Sequence, residues 1–301
     1  MRFFFLGGDT APSDSQRLDD GALITGCARP RVIIPKSNGQ GLKSDDDIPL
    51  SSNPADWRFG FCHGRAFNHK EKLSARQWSG MIHSYHQRFA YQKIVLDGGA
   101  GGGGVFVKRE LMATKQLING VETECKPLCD QVDGPRRVVH ADFILHMFGR
   151  GDPGINLVWP SMEDAGKSLA GDELLKDALY AGFKSPLDCG EIETTPRVED
   201  LMGDPEWREK LRTWPEERLW ALKVLDAGFQ QLTNITVATR EDGTHLFTKR
   251  GARVFTSVGR DDIALAMMYC YAAFLIWLKS DQWARGAEED ADGFSGSGGQ
   301  A

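Results

Sequence analysis

The sequence predicts an α/β fold: one mixed sheet, antiparallel over strands 1–3 and parallel in its later strands, flanked by helices and carrying an inserted segment. Three observations predict it. Short apolar runs bounded by turn residues recur through the first third of the chain, and such runs read as buried strands. Two of them stop on an acid, Asp9 and Asp97. Segments with helical apolar spacing come between and after the later runs, as crossovers between parallel strands require.

Residues 2–8, RFFFLGG, form an apolar strand that runs straight into Asp9. The start is abrupt and suggests a fragment of a longer protein or a trimmed gene. A polar turn over 10–20 leads to a second strand at Ala22–Cys27, which Val32–Ile34 continues or follows as a further piece. Residues 36–54, rich in Gly, Ser and Pro and carrying Asp45, Asp46 and Asp47, form a surface loop. Trp57–Phe67 is a third strand, with Phe59, Phe61 and Arg65 alternating. Lys70–Phe89 is helical, with Leu73, Trp78, Met81, Ile82, Tyr85 and Phe89 on one stripe.

The stretch Lys93–Leu111, KIVLDGGAGGGGVFVKREL, organises the rest. Ile94, Val95 and Leu96 make a buried strand that ends on Asp97; six of the next seven residues are Gly, and a helix follows. A carboxylate at the C-terminal end of a strand in an open sheet sits at the crevice where ligands bind. The glycines allow positive φ and close approach of a bulky partner. Two readings arise here: a phosphate held at the helix N-terminus, or a metal held by Asp97 with side chains kept clear of a large substrate.

Strand with acid, hairpin, third strand, helix, strand with acid, helix is the order of an RNase H-like fold. Short links suit antiparallel pairing of the first three strands, and the helical crossover makes the fourth parallel. Strands 1 and 4 then lie side by side, and Asp9 neighbours Asp97.

Residues 115–215 read as an insertion packed on one side of the core. Val138–Met147 is strand or helix, Ile155–Trp159 a strand, and Asp172–Phe183 a helix. Leu187–Thr213 reads as irregular around Pro186, Pro196 and Pro205. Pro215–Leu232 is a helix whose Pro and two Glu suit its N-terminal dipole. Residues 235–239 and 244–248 flank a hairpin turn, Arg240-Glu241-Asp242-Gly243. Asp261 and Asp262 open an apolar helix over Ile263–Leu278, and residues 284–301 read as a disordered tail. Residues 1–283 thus form one domain.

Composition bounds the function. The 301 residues carry a net charge of −6, which does not advertise a nucleic-acid binder but leaves room for local basic patches. Six Cys stand without framework spacing and read as reduced thiols. The apolar run Ile263–Leu278 is short for a membrane span and follows a double Asp, so a buried helix is expected.

Three acids or acid pairs stand at element ends: Asp9, Asp97 and Asp261-Asp262. Hard divalent cations take several carboxylate oxygens, and two such ions bind the attacking and leaving oxygens of an in-line phosphoryl displacement. Taken singly, Asp261 or Asp262 is a good N-cap and Asp9 a turn residue. Their joint topological order favours the metal.

GGDTAPSDSQRLDDGALITG, KIVLDGGAGGGGVFVKREL and VGRDDIALAMMYC resemble the three signature blocks of the terminase large-subunit nuclease domain of tailed bacteriophages and herpesviruses. The resemblance covers residues 1–113 and 216–280; the segment between the second and third blocks departs from it in length. It implies an RNase H-like, divalent-metal-dependent endonuclease that cleaves concatemeric double-stranded DNA during packaging. Two Mg²⁺ or Mn²⁺ ions would serve as cofactors. By matching position, Asp9, Asp97 and Asp262 are the expected catalytic ligands, with Asp261 beside them. An ATPase domain of the same motor, the portal and the small terminase subunit are the implied partners, and the host cell cytoplasm the implied location. Another RNase H-like nuclease, such as a junction resolvase or transposase-like enzyme, and a non-catalytic docking module of the motor are the alternatives.

Other signals are weaker. Lys249, Arg250, Arg253 and Arg260 lead into the acid pair and are candidate DNA contacts; Arg136-Arg137 is a lesser one. Gly166-Lys167-Ser168 lacks the upstream Gly of a nucleotide loop, since Ser161 stands there. Cys125, Cys129, His140 and His146 have roughly zinc-finger spacing. His83 and His86, three apart on a helix, read as packing.

Overall fold

The computed structural model describes residues 2–11, 21–31, 53–67, 71, 73–96, 103–128, 175–233, 235–239, 245–249 and 262–293. The chain opens with β1 (Phe3–Asp9), β2 (Gly21–Pro30), β3 (Trp57–Phe67), α1 (Ala75–Phe89), β4 (Lys93–Leu96) and α2 (Gly103–Leu111). A hairpin of β5 (Lys115–Ile118) and β6 (Val121–Glu124) follows. Next come α3 (Leu175–Asp188), β7 (Ile192–Glu193), α4 (Val198–Gly203), α5 (Pro205–Arg212) and α6 (Glu216–Thr233). The last elements are β8 (Ile235–Thr239), β9 (His245–Lys249) and α7 (Asp262–Gly293).

The central sheet has the order β4-β1-β2-β3-β7. β1, β2 and β3 pair antiparallel, and β4 pairs parallel with β1 through Phe5↔Lys93 to Gly8↔Leu96. The expected neighbourhood of the first and fourth strands is therefore present. β1 is apolar on both faces because both are covered. Phe5 packs with α7 and the aromatic layer; Leu6 packs with Trp78 and Ile82 of α1. Both are fully buried, each contributing about 2–3 kcal/mol of transfer free energy.

Gly7 sets the distance to α7. A Cβ there would strike Ala266 O and the Cys270 backbone, so the helix lies on the strand backbone to backbone. Ala264, Ala266, Ala272 and Ala273, all fully buried, keep α7 thin enough to do so. Above this contact Phe3, Phe5, Trp57, Phe59, Phe274 and Trp277 interlock, with centroids 4.7 Å apart for Phe3–Trp277 and 5.1 Å for Phe59–Phe274.

Several expectations change. The first helix begins at Ala75 rather than Lys70, because Ser74 and Gln77 close a reciprocal capping box there. Arg65 does not share a face with Phe59 and Phe61. A bulge opposite Thr25/Gly26 inserts Cys62 between Phe61 and His63 and inverts the alternation. Arg65 is consequently exposed, its guanidinium 4.9 Å from the Phe67 ring centroid on the other face.

Within 115–215, Asn119 and Gly120 take φ of 51° and 82°, and turn β5 into β6. Gly80 of α1 meets the Leu117 carbonyl, seating the hairpin on that helix. The helix expected over Asp172–Phe183 is α3, which runs on to Asp188 past Pro186. The stretch Leu187–Thr213 is not irregular: Asp204 caps α5 through Glu206 N at 2.8 Å, and Pro205 takes its first position. β7 joins the central sheet through Phe59↔Ile192, so this segment also supplies an edge of the core. Val138–Met147 and Ile155–Trp159 lie outside the described residues. α7 continues past Leu278 to Gly293, into the segment expected as a tail. Among the described residues no helix is long and apolar enough to cross a membrane.

Candidate functional site

Two of the acids of interest, Asp9 and Asp262, stand on elements that reach one end of β1. Asp9 is the last residue of that strand, and alternation carries it to the same face as Phe5 and Gly7, the face α7 covers. Along that face α7 runs against the direction of β1. Trp277 meets Phe3, Phe274 meets Phe5 at 5.5 Å, the Cys270 thiol donates to Phe5 O at 3.3 Å, and Ala266 lies over Gly7. Asp9 is two strand residues beyond Gly7, a rise of about 6.6 Å. Asp262 is four helical residues before Ala266, a rise of about 6 Å. The first turn of α7 therefore reaches the level at which β1 ends.

β4 ends at the same level, since Leu96 pairs with Gly8. Asp97 follows Leu96 directly in the sequence, and Asp261 precedes Asp262; both lie outside the described residues. Among the described residues no group of three or more His, Cys, Asp or Glu is arranged to hold a metal ion. Two of the four expected ligands, Asp9 and Asp262, thus stand on elements converging on one end of the sheet. Their carboxylate oxygens are the donor type that Mg²⁺ and Mn²⁺ take.

The start of α7 is capped from elsewhere. Gln231 Oε1, on α6, accepts from Ile263 N at 3.1 Å and Ala264 N at 3.0 Å. These are the donors a capping Asp would ordinarily bind. Sequence reading missed Gln231; its one local signal is an amide on the buried stripe of an apolar helix.

Of the proposed DNA contacts, Lys249 is the last residue of β9; Arg250, Arg253 and Arg260 lie outside the described residues, as do Arg136, Arg137 and 166–168. Cys125 follows β6, while Cys129, His140 and His146 lie outside.

Among the described residues, His63, His83 and His86 are packing groups. Burial holds the His83 pKa down at about 4, and lowers those of His63 and His86. His63 stands edge-on to Tyr85, its Nε2 3.9 Å from Glu217, which Arg88 engages at 2.6 Å. Cys27, Cys62, Cys125, Cys189 and Cys270 are free thiols. The Cys62 residue is exposed, yet its Sγ turns back on Thr25 O at 3.6 Å, and burial of the thiol pushes its pKa up to about 12.

One further feature had no sequence signal. A cavity of 540 Å³ lies among α3, α6 and the link from β7 to α4, with Phe183, Leu187 and Phe229 as apolar wall and Arg197 and Asp226 among its polar groups. Asp226 accepts from Val198 N at 3.2 Å, a remote cap for α4, whose own N-cap residue Arg197 makes no side-chain cap bond.

Comparison with protein-family models, with curated proteins and with solved structures finds no match to this chain.

Proposed function

We propose that this chain is an RNase H-like, divalent-metal-dependent endonuclease, the cutting module of a viral DNA-packaging terminase. The observation that carries the proposal is the antiparallel course of α7 along β1, which brings Asp262 to the level of Asp9 at the end of the β1–β4 pair. The strand order β4-β1-β2-β3, antiparallel over the first three strands and parallel at β4, supports the fold assignment.

Asp9, Asp97, Asp261 and Asp262 would hold two Mg²⁺ or Mn²⁺ ions. When bound, the ions supply Lewis acidity at the phosphate and stabilise charge on the attacking and leaving oxygens. Hydrolysis adds water across the phosphodiester: the P–O bond to the leaving 3′-oxygen breaks as the water oxygen bonds to phosphorus. The chain's own task is rigidity. Asp9 is held by a strand buried on both faces and Asp262 by a helix whose first N–H groups are already capped. Clustered carboxylates repel one another when empty, so the site is held together weakly without metal and is sensitive to chelators. Lys249, Arg250, Arg253 and Arg260 are assigned to the DNA backbone, where contacts weaken as salt rises. Double-stranded DNA is the substrate. The motor's ATPase domain, the portal and the small subunit are the proposed partners, in the host cytoplasm.

The test is plasmid degradation in Mn²⁺. Asp97→Ala is expected to abolish cutting, and undiminished cutting by that variant removes the proposal. Strong preference for branched over linear duplex transfers the assignment to a resolvase-like enzyme. Absence of Mn²⁺ binding at millimolar concentration leaves a docking module.

A further inference from the structure

We infer that Gln231 is a positioning residue for the Asp262 carboxylate; the inference rests on the metal reading proposed above. A helix beginning at residue 262 leaves its first N–H groups without intrahelical partners. The side chain that usually takes them belongs to the residue just before the helix. Here Gln231 Oε1 takes two of them, those of Ile263 and Ala264, from another helix. The bonds span 32 and 33 positions of sequence, so they tie α6 to α7 and are not a local cap. Gln231 is 5% exposed, and in that low-dielectric setting the bonds are strong.

A second contact stands beside the first. Gly228 of α6 faces Ile263 and Met267 so closely that a Cβ would lie 2.8 Å from Ile263 Cγ2 and 2.5 Å from Met267 Sδ. The first turn of α7 is thus held by hydrogen bonds at 263 and 264 and by close packing at 263 and 267. It cannot turn about its own axis without breaking one set. Asp262 is the residue next to this clamp, so α6 fixes where its carboxylate stands relative to Asp9.

The chemistry of the clamp suits an acidic site. A capping Asp or Glu would add negative charge where carboxylates already crowd, and like charges resist joint ionisation. A neutral amide accepts both bonds without adding charge.

The experiment titrates Mn²⁺ against the full chain, following free Mn²⁺ by electron paramagnetic resonance, with thermal unfolding in parallel. Gln231→Met keeps length and loses the acceptor; it is expected to weaken Mn²⁺ binding by about tenfold or more. A merely structural residue would lower the melting temperature and leave the affinity of the folded chain unchanged. If Gln231→Met does not fold, Gln231→Asn, one methylene shorter, is read by the same criterion. Unchanged affinity in the folded variant, alongside its loss in Asp9→Asn, overturns the positioning role and leaves the metal site standing. Failure of the unsubstituted chain to bind Mn²⁺ removes both.

Discussion

The two faces of the central sheet are held by different chemistry. On the α7 face contact is apolar and close: Gly7 against the helix backbone, alanines beneath, and a layer of interlocked rings above. On the α1 face polar groups are built into the packing. The Ser79 hydroxyl bonds Gln116 Oε1 at 2.7 Å, and Gln116 Nε2 donates to the Glu110 and Ala113 carbonyls. Thr25 and Tyr91 share a hydrogen bond of 2.7 Å, and His63 and His83 are buried. Both faces carry an apolar cluster, but the α1 face adds buried side-chain hydrogen bonds and histidines, where the α7 face adds a close backbone contact and a ring layer. The proposed site stands on the face with the backbone contact.

The sharpest way to break this contrast is to remove a ring from the α7 face. Phe274→Ala, cut from among Phe5, Trp57 and Phe59, is expected to cost about 4 kcal/mol in urea unfolding. A cost below about 1 kcal/mol would mean the layer is slack. Next is Gly7→Ala, which pushes α7 off β1 and is expected to cost about 3 kcal/mol, measured the same way. On the other face Ser79→Ala leaves a buried acceptor on Gln116 short of its partner, for a smaller loss of about 1–2 kcal/mol.

The pH response should separate the faces as well. His83 is buried and neutral, with its pKa at about 4 against an ordinary value of 6.5, and His63 and His86 are lowered in the same direction. Between those two values the unfolded chain binds more protons than the fold, so stability is lost as pH falls. The urea midpoint is expected to be lower at about pH 5 than at neutrality, and His83→Asn to flatten that drop. An unaltered slope in the variant would place the acid sensitivity elsewhere.

What the sequence disclosed follows the range of the forces involved. β1, β3, β4 and α6 were legible because apolar runs and helical spacing are local patterns. The Asn119-Gly120 turn carried a plain hairpin signal that went unread. The Cys62 bulge left no such trace, since an inserted residue shows only against the partner strand. β7, two residues long, has no period to detect. In the proposed site, Asp9 and Asp262 stood out as acids at element ends. Gln231 did not, because its partners lie 32 and 33 residues away and only the packing of α6 on α7 brings them together.

Cys270 gives the α7 face a reporter of its own. Its thiol points under the sheet to Phe5 O, it is fully buried, and its pKa is raised well above the ordinary range by desolvation. Cys189 is exposed. A thiol-labelling time course should therefore be staged, with the Cys189 adduct forming early and the Cys270 adduct awaiting detachment of the helix from the first strand. Its slowest phase would measure how often the proposed carboxylate site comes apart, with no cation or nucleic acid added.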